Sequence, residues 1–322
     1  MTVDDANLRE NDHYSAIMRG AKDLPPIRVA VVHPVDIRAL RAAIDAAEQG
    51  LIEPVLIGPK QRILQAGAVC AAQGGGDISA WEIIDTEHSH AAAEKAVELA
   101  AAGRVDALMK GSLHSHELLH AIVTRNSGLC TERRISHAYV LDVPSYHKPL
   151  IITDAAVNIA PDLATKADIC RNAIHLWHSL FGNDRQPKVA ILSAVETVMP
   201  GMPSTIDAAA LCKMAERGQI VDAILDGPLA YDNIVNRQAA LDKGIVSDVA
   251  GDADIIVVPN IETGNALAKQ LIYLGNANAA GIVLGARVPV ILTSRADSLR
   301  TRLLSCVAAL YLVQARKHGH VK

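Results

Sequence analysis

The chain has 322 residues, half of them hydrophobic but only 3% aromatic, with a formal net charge of −4. That length favours two α/β domains over one small one, and the core must be built from Val, Ile, Leu and Ala. The charge balance, with no long basic run, argues against nucleic acid or an acidic membrane surface as partner, and so few rings leave little for stacking bases.

Residues 1–26 read as a polar lead-in with a short helix, closed by Leu24-Pro-Pro26. A strand–helix rhythm then begins: strand 27–32, helix 35–49, strand 54–57, helix 60–72, strand 82–84, helix 90–102 and strand 106–109. Short apolar runs alternating with amphipathic segments predict a mostly parallel sheet with right-handed crossovers. Two apolar runs, 138–143 and 150–153, break the rhythm. The loop between them is too short for a helical crossover, which predicts an antiparallel hairpin. The alternation resumes with helix 162–180, strand 188–192, helix 206–217, strand 223–225, helix 230–243, strand 254–258 and helix 264–274. Strands 281–284 and 290–292 precede the last helix, 297–316. The expected organisation is a first domain of 1–155 plus 287–322, a second of 156–286, and a cleft between them.

Five cysteines, Cys70, Cys130, Cys170, Cys212 and Cys306, are odd in number, widely spaced and free of any CxxC pair. They read as reduced thiols of a cytoplasmic protein. The polar, acidic start is no signal peptide, and no apolar run reaches membrane length.

The most informative stretch is Pro289-Val-Ile-Leu-Thr-Ser-Arg295, an apolar strand that stops at a hydroxyl and a guanidinium where a helix begins. Free backbone N–H groups and the helix dipole favour an anion there, and arginine adds a two-pronged clamp. The competing reading has Ser294 capping the helix and Arg295 solvated. Other strand ends carry polar groups too: Lys110 after 106–109, Ser193 after 188–192, Asp226 after 223–225, and Gly264 and Asn265 after 254–258. In open parallel sheets ligands gather at such ends, so these groups are expected to share one site. Asp154 and Asn158 follow the hairpin, one as a helix cap and the other as a hydrogen-bond donor to the site. Arg134 either binds an anion or decorates the surface. His116-Glu-Leu-Leu-His120 fits the HExxH zinc pattern, yet the segment reads as a packing helix, and a zinc hydrolase is the weaker reading. No Gly-x-Gly-x-x-Gly and no Walker loop is present.

These motifs together resemble the phosphate acetyltransferase/phosphate butyryltransferase family. The matching pieces are Met109-Lys-Gly111, Arg134-Ile-Ser-His137, Ile152-Thr-Asp-Ala-Ala-Val-Asn-Ile-Ala-Pro161, Ala190-Ile-Leu-Ser-Ala-Val-Glu196, Met202-Pro-Ser-Thr205, Leu225-Asp-Gly-Pro-Leu229, Ala253-Asp-Ile-Ile-Val-Val-Pro259 and Leu292-Thr-Ser-Arg-Ala-Asp297. The resemblance implies a two-domain α/β fold of the isocitrate/isopropylmalate dehydrogenase type and a homodimer. It implies the reaction acyl-CoA + phosphate = acyl phosphate + coenzyme A for short acyl chains, acetyl to butyryl. Coenzyme A would be a substrate, with no cofactor and no metal. A thiolate would attack the acyl carbonyl directly, so the protein must bind phosphate, stabilise an oxyanion and help the thiol lose its proton. By the resemblance, Ser294 and Arg295 hold the phosphoryl group, Lys110 and Arg134 are further cations, and Ser193, Asn158 and Asn265 line the site. In the acetyl branch a carboxylate seven residues beyond the serine is the presumed base. Here that position is Thr301, and Asp297 is the nearest carboxylate. A non-catalytic acyl-CoA or acyl-phosphate binding protein, and a metal- and NAD-dependent decarboxylating dehydrogenase of the same fold, stand as alternatives.

Overall fold

The computed structural model describes residues 13–293 and 297–319. In chain order the elements are α1 (His13–Ala21), β1 (Ile27–Val32), α2 (Ile37–Glu48), β2 (Ile52–Gly58), α3 (Lys60–Ala72), β3 (Glu82–Asp85), α4 (Ser89–Ala101), β4 (Ala107–Lys110) and α5 (Ser115–Val123). The hairpin follows as β5 (Ser136–Asp142) and β6 (Leu150–Thr153), then α6 (Leu163–Phe181), β7 (Lys188–Leu192), α7 (Pro203–Glu216) and β8 (Ile224–Leu229). The remainder is α8 (Tyr231–Val235), α9 (Arg237–Asp242), β9 (Ile255–Val257), α10 (Ile261–Tyr273), β10 (Asn278–Leu284), β11 (Val290–Ile291) and α11 (Leu299–Lys317).

Helix starts follow local chemistry. Asp36 Oδ1 accepts the Ala39 N–H at 2.8 Å to cap α2, and Asp162 caps α6 through Thr165 in the same way. Pro203 opens α7, where its missing N–H has no partner to lose. The expected single helix over 230–243 is two. Asn236, in an extended conformation, ends α8, and its side chain caps α9 by accepting from Ala239 N at 3.0 Å.

All eleven strands join one sheet, in the order β3-β2-β1-β4-β11-β10-β5-β6-β9-β7-β8. Seven of the ten pairings are parallel, and the three antiparallel ones all involve β10 or β5. The sheet is therefore mostly parallel, but its direction reverses in the middle. The carboxyl ends of β1, β4 and β11 open at one end of the sheet, and those of β6, β9 and β7 at the other.

The two faces are covered differently. Behind the sheet one continuous core spans its whole width, with Leu40, Ile63, Leu176, Leu211 and Leu310 supplied by α2, α3, α6, α7 and α11. In front the core is split. One cluster gathers Val97, Leu118 and Leu292 under α4 and α5, and another gathers Ile152, Ile234 and Leu271 under α8 and α10. Burying these side chains, at about 1.5–3 kcal/mol each, drives both layers together. Between the two front clusters a groove opens, bordered by α5 and the start of α10, with β10 and β5 in the sheet behind it.

Candidate active site

The register fixes which residues meet on the groove floor. Met109 pairs with Ile291, Ile291 with Ile282, and Gly281 with Tyr139, so Lys110, Leu292, Gly281 and Tyr139 form one row across four strands. One pleat away on β5 is His137, paired with Val283. His137 is 1% exposed, and among the described residues neither ring nitrogen has a hydrogen-bond partner. Burial lowers its pKa to about 4, against the nearby Asp154 carboxylate, which raises it. Burial likewise pushes Tyr139 up to about 12, with Asp297 and then Tyr273 adding to it. Asp297 therefore stands within electrostatic reach of the groove floor.

One wall of the groove carries a tight polar cluster. Asp154, 2% exposed, follows β6 after a cis Thr153–Asp154 peptide. Its Oδ1 accepts Ala156 N at 2.9 Å and Val157 N at 3.0 Å, and its Oδ2 accepts Asn158 N at 3.1 Å and Asn158 Nδ2 at 2.6 Å. Asn158 Nδ2 also reaches the Ile135 carbonyl at 2.9 Å. Helix α10 starts against the same turn: a Cβ on Gly264 would lie 2.4 Å from the Asp154 carbonyl oxygen, so no larger residue fits. Asn265 donates Nδ2 to the Ala155 carbonyl at 3.1 Å. The sequence placed Asp154, Asn158, Gly264 and Asn265 separately, and the fold makes them one unit. Next to it a cleft of about 840 Å³ opens between α5 and the 156–159 turn, with His116, His120, Arg133 and Arg134 among its lining residues. The Arg134 backbone is pinned by Asp168 Oδ2 on its N–H at 3.0 Å and by Asn172 Nδ2 on its carbonyl at 2.9 Å.

At the other end of the groove, Lys110 and Thr293 border a small recess with Arg38, Asp36 and Arg302. Arg302 Nη1 holds the Arg38 carbonyl at 3.1 Å. Burial raises Asp36, but the Ala39 N–H and the Ser112 hydroxyl outweigh it and keep that carboxyl below its ordinary range. Three basic side chains thus collect where β11 ends and the 294–296 segment departs. Ser294 and Arg295, the pair singled out by the sequence, lie outside the described residues. Thr301 is 6% exposed and sits in the capping turn of α11, its N–H on Ser298 Oγ at 3.1 Å and its carbonyl accepting from Ser305 Oγ at 2.7 Å.

The expectation of one shared strand-end site is met only in part, because the antiparallel strands β10 and β5 send the strand ends to opposite ends of the sheet. Lys110 and Thr293 are at one, the Asp154 cluster at the other, and the groove floor lies between. Ser193 follows β7 at the same end of the sheet as Asp154 but shares no hydrogen bond with that cluster among the described residues, and Asp226 belongs to neither group. The Ser193 hydroxyl pairs with Ser204 Oγ at 2.8 Å beside α7. Asp226 lies within the edge strand β8 and accepts the Gly227 N–H at 2.8 Å. Sequence reasoning missed Arg38, Arg302 and the individual weight of His137. Only His137 had a signal, through the Arg134-Ile-Ser-His137 motif.

The HExxH segment is α5. Glu117 accepts from Ser89 Oγ at 2.6 Å and from the His114 N–H at 3.3 Å, completing a capping box at its own helix start. The Ser89 hydroxyl is the main cause of its lowered pKa. Among the described residues no group of three or more His, Cys, Asp or Glu side chains is placed to hold a metal ion.

Residues 80–310 match the family described as phosphate acetyl/butaryl transferase. A phosphate acetyltransferase of Rhizobium meliloti is 55% identical over 94% of this chain and 94% of its own length. A phosphate butyryltransferase of Clostridium acetobutylicum is 38% identical over 94% of this chain and 99% of its own. A branched-chain phosphotransacylase from Enterococcus faecalis V583, known as a crystal structure, superposes with a TM-score of 0.75 at 30% identity over 89% of this chain and 99% of that one. The chain belongs to the phosphate acetyl/butyryl transferase family of acyltransferases.

Proposed function

We propose that the chain catalyses acyl-CoA + phosphate = acyl phosphate + coenzyme A, reversibly, on short acyl groups from acetyl to butyryl. The observation that carries the phosphate half is the basic recess of Lys110, Arg38 and Arg302 at the end of β11, from which Ser294 and Arg295 follow directly. Ser294 and Arg295 would grip the phosphoryl oxygens, with Lys110 as a further cation. The higher identity to the acetyltransferase, 55% against 38% for the butyryltransferase, supports the short end of the acyl range.

In the direction of thioester synthesis the coenzyme A sulfur forms a bond to the acyl carbon and the carbon–oxygen bond to phosphate breaks. The thiol proton passes to a base. Asp297, near Tyr139 and the groove floor, is the carboxylate assigned to that step, since Thr301 is taken up by the helix cap. A thiol near its usual pKa of about 8.5 needs only modest help at neutral pH. Donors lining the groove would stabilise the developing oxyanion. Arg134, Asn158, Gly264 and Asn265 line the coenzyme A side, with the Asp154 carboxylate holding that turn in shape. Coenzyme A is a substrate in this reading and the protein carries no resident cofactor or metal. The lobes are 1–155 plus 287–322 and 156–286, the enzyme works as a homodimer, and it resides in the cytoplasm. Among the described residues no helix is long and apolar enough to cross a membrane.

The direct test follows coenzyme A-dependent consumption of acetyl phosphate by the purified protein. Arg295→Ala is expected to lower kcat/KM by about two to three orders of magnitude. Unaltered turnover in that variant would refute the assigned role.

A further inference from the structure

A second cavity, of about 440 Å³, opens on the back of the sheet, bounded by α6, the end of α11, the 131–133 loop and the 285–287 turn. Arg133, Arg287 and Arg316 all line it. Hydrogen bonds to carbonyls fix two of them without neutralising them: Arg287 Nη1 donates to the Gly128 carbonyl at 2.9 Å, and Arg316 Nη1 donates to the Arg287 carbonyl at 2.7 Å. Among the described residues none of the three forms an ion pair with a carboxylate, although Glu132 also borders the cavity. Burial and then the charge of Arg133 act against the protonated form of Arg316. Gathering three guanidiniums around one partly buried cavity is unfavourable unless an anion completes it. Their forked donors match phosphoryl or carboxylate oxygens.

We propose that this cavity is a binding site for a small, multiply charged oxyanion, separate from the groove where acyl transfer takes place. The lining offers no Phe, Tyr or Trp, so the ligand carries no stacked base. Arg287 and Arg316 do not border the groove-side cleft, whereas Thr131, Glu132 and Arg133 border both cavities. Asn172 of α6, 3% exposed, ties the two together: its Nδ2 holds the Arg134 carbonyl and Ser136 Oγ, both at 2.9 Å, just ahead of His137. The bound anion is thus one loop away from the groove floor.

Isothermal titration of the full chain with inorganic pyrophosphate, and separately with citrate, tests this. In an Arg295→Ala background, which removes the clamp of the groove's own phosphate site, one site per chain is expected, with affinity falling as salt rises. Arg287→Gln and Arg316→Gln should each weaken it by about tenfold, the loss of one charge-assisted contact. Lys110→Ala, which alters the groove end, should leave it unchanged. Tighter pyrophosphate than citrate assigns a phosphoryl ligand, and the reverse a carboxylate one. The proposal is overturned if neither anion binds, if binding is lost in Lys110→Ala, or if it persists undiminished in Arg287→Gln. Arg287 is exposed, so this variant keeps the test decisive even where Arg316→Gln fails to fold. Acyl transfer by Arg287→Gln at saturating substrates stays at the wild-type rate, so failure of this site and failure of the catalytic reading are told apart.

Discussion

His137 and Tyr139 meet edge to face on the groove floor, with ring centroids 4.6 Å apart. The neighbouring strand accommodates them by having Gly281 alongside. A Cβ there would lie 3.2 Å from His137 Nε2, 3.3 Å from Tyr139 Cε1 and 2.8 Å from the Leu292 carbonyl oxygen. The imidazole is thereby sealed in as a neutral group, and that has a thermodynamic signature. Burial lowers its pKa from 6.5 to about 4, so between those values the unfolded chain takes up a proton that the folded chain refuses. The stability tied to His137 is complete above pH 6.5 and is lost as pH falls toward the lowered folded-state value. His137→Gln is expected to flatten the stability profile across that window. Urea midpoints at stepped pH measure it, and superimposable slopes for the two proteins would reject the assignment.

Lys110→Ala is expected to raise KM for phosphate about tenfold, with a smaller change in KM for coenzyme A. Lys110 borders the recess with Arg38 and Arg302 at the end of β11, whereas the proposed coenzyme A contacts sit at the other end of the groove. Steady-state kinetics with each substrate varied in turn decide it. An equal loss for both substrates would mean that the lysine acts on the fold and not on the anion.

Asp254, 1% exposed, takes both guanidinium arms of Arg185 at 2.7 Å, Lys148 Nζ at 2.9 Å and the Lys188 N–H at 2.8 Å. Asp254→Ala leaves the half-exposed Arg185 and the Lys188 N–H without their acceptor, while Lys148 keeps Asp252 at 2.9 Å, and should cost about 1–3 kcal/mol. Burial opposes the charged carboxylate, yet the Arg185 hydrogen bond and the others outweigh it, and its pKa falls below the ordinary value of 3.8. A depressed carboxylate supplies stability above its unfolded pKa and loses it as pH drops through the folded one. Acid unfolding of the wild type should therefore show a second loss below pH 3.8, apart from the His137 window, and Asp254→Ala should lack it.

Glu117→Gln separates the helix-capping role from the zinc pattern. The carboxylate serves Ser89 and its own helix start, so the variant should lose about 1 kcal/mol of stability and keep its turnover. Prolonged chelation should likewise leave turnover intact. Collapse of activity in either experiment, with metal found by elemental analysis, would revive the hydrolase reading.

Much of the fold was legible because its signals are local. Helix 60–72 and strand 188–192 fall where the alternation placed them, and the short loop between 138–143 and 150–153 led directly to the antiparallel β5–β6 pair. The site was less legible, for a topological reason. Strand β11 follows β10 by a short turn but pairs on its other side with β4, far away in sequence, and only this non-local pairing sets Lys110 in a row with Gly281 and Tyr139. Arg38 and Arg302 carry no motif of their own, since each is an ordinary surface-type residue until α2 and α11 bring their first turns to the same strand end. The strand-end rule also presumes one direction of travel, which β5 and β10 interrupt.

The unbroken sheet limits how the enzyme can breathe. Swinging the β1–β4 side of the sheet away from the β6–β8 side about a hinge would tear the seven-rung β5–β10 ladder, and the continuous layer of helices behind it resists the same bend. Enclosing two charged reactants then falls to pieces mounted on the front, helix α5 and the turn after β6. A graft of either piece from a relative is therefore expected to change the rate of product escape without rebuilding the frame.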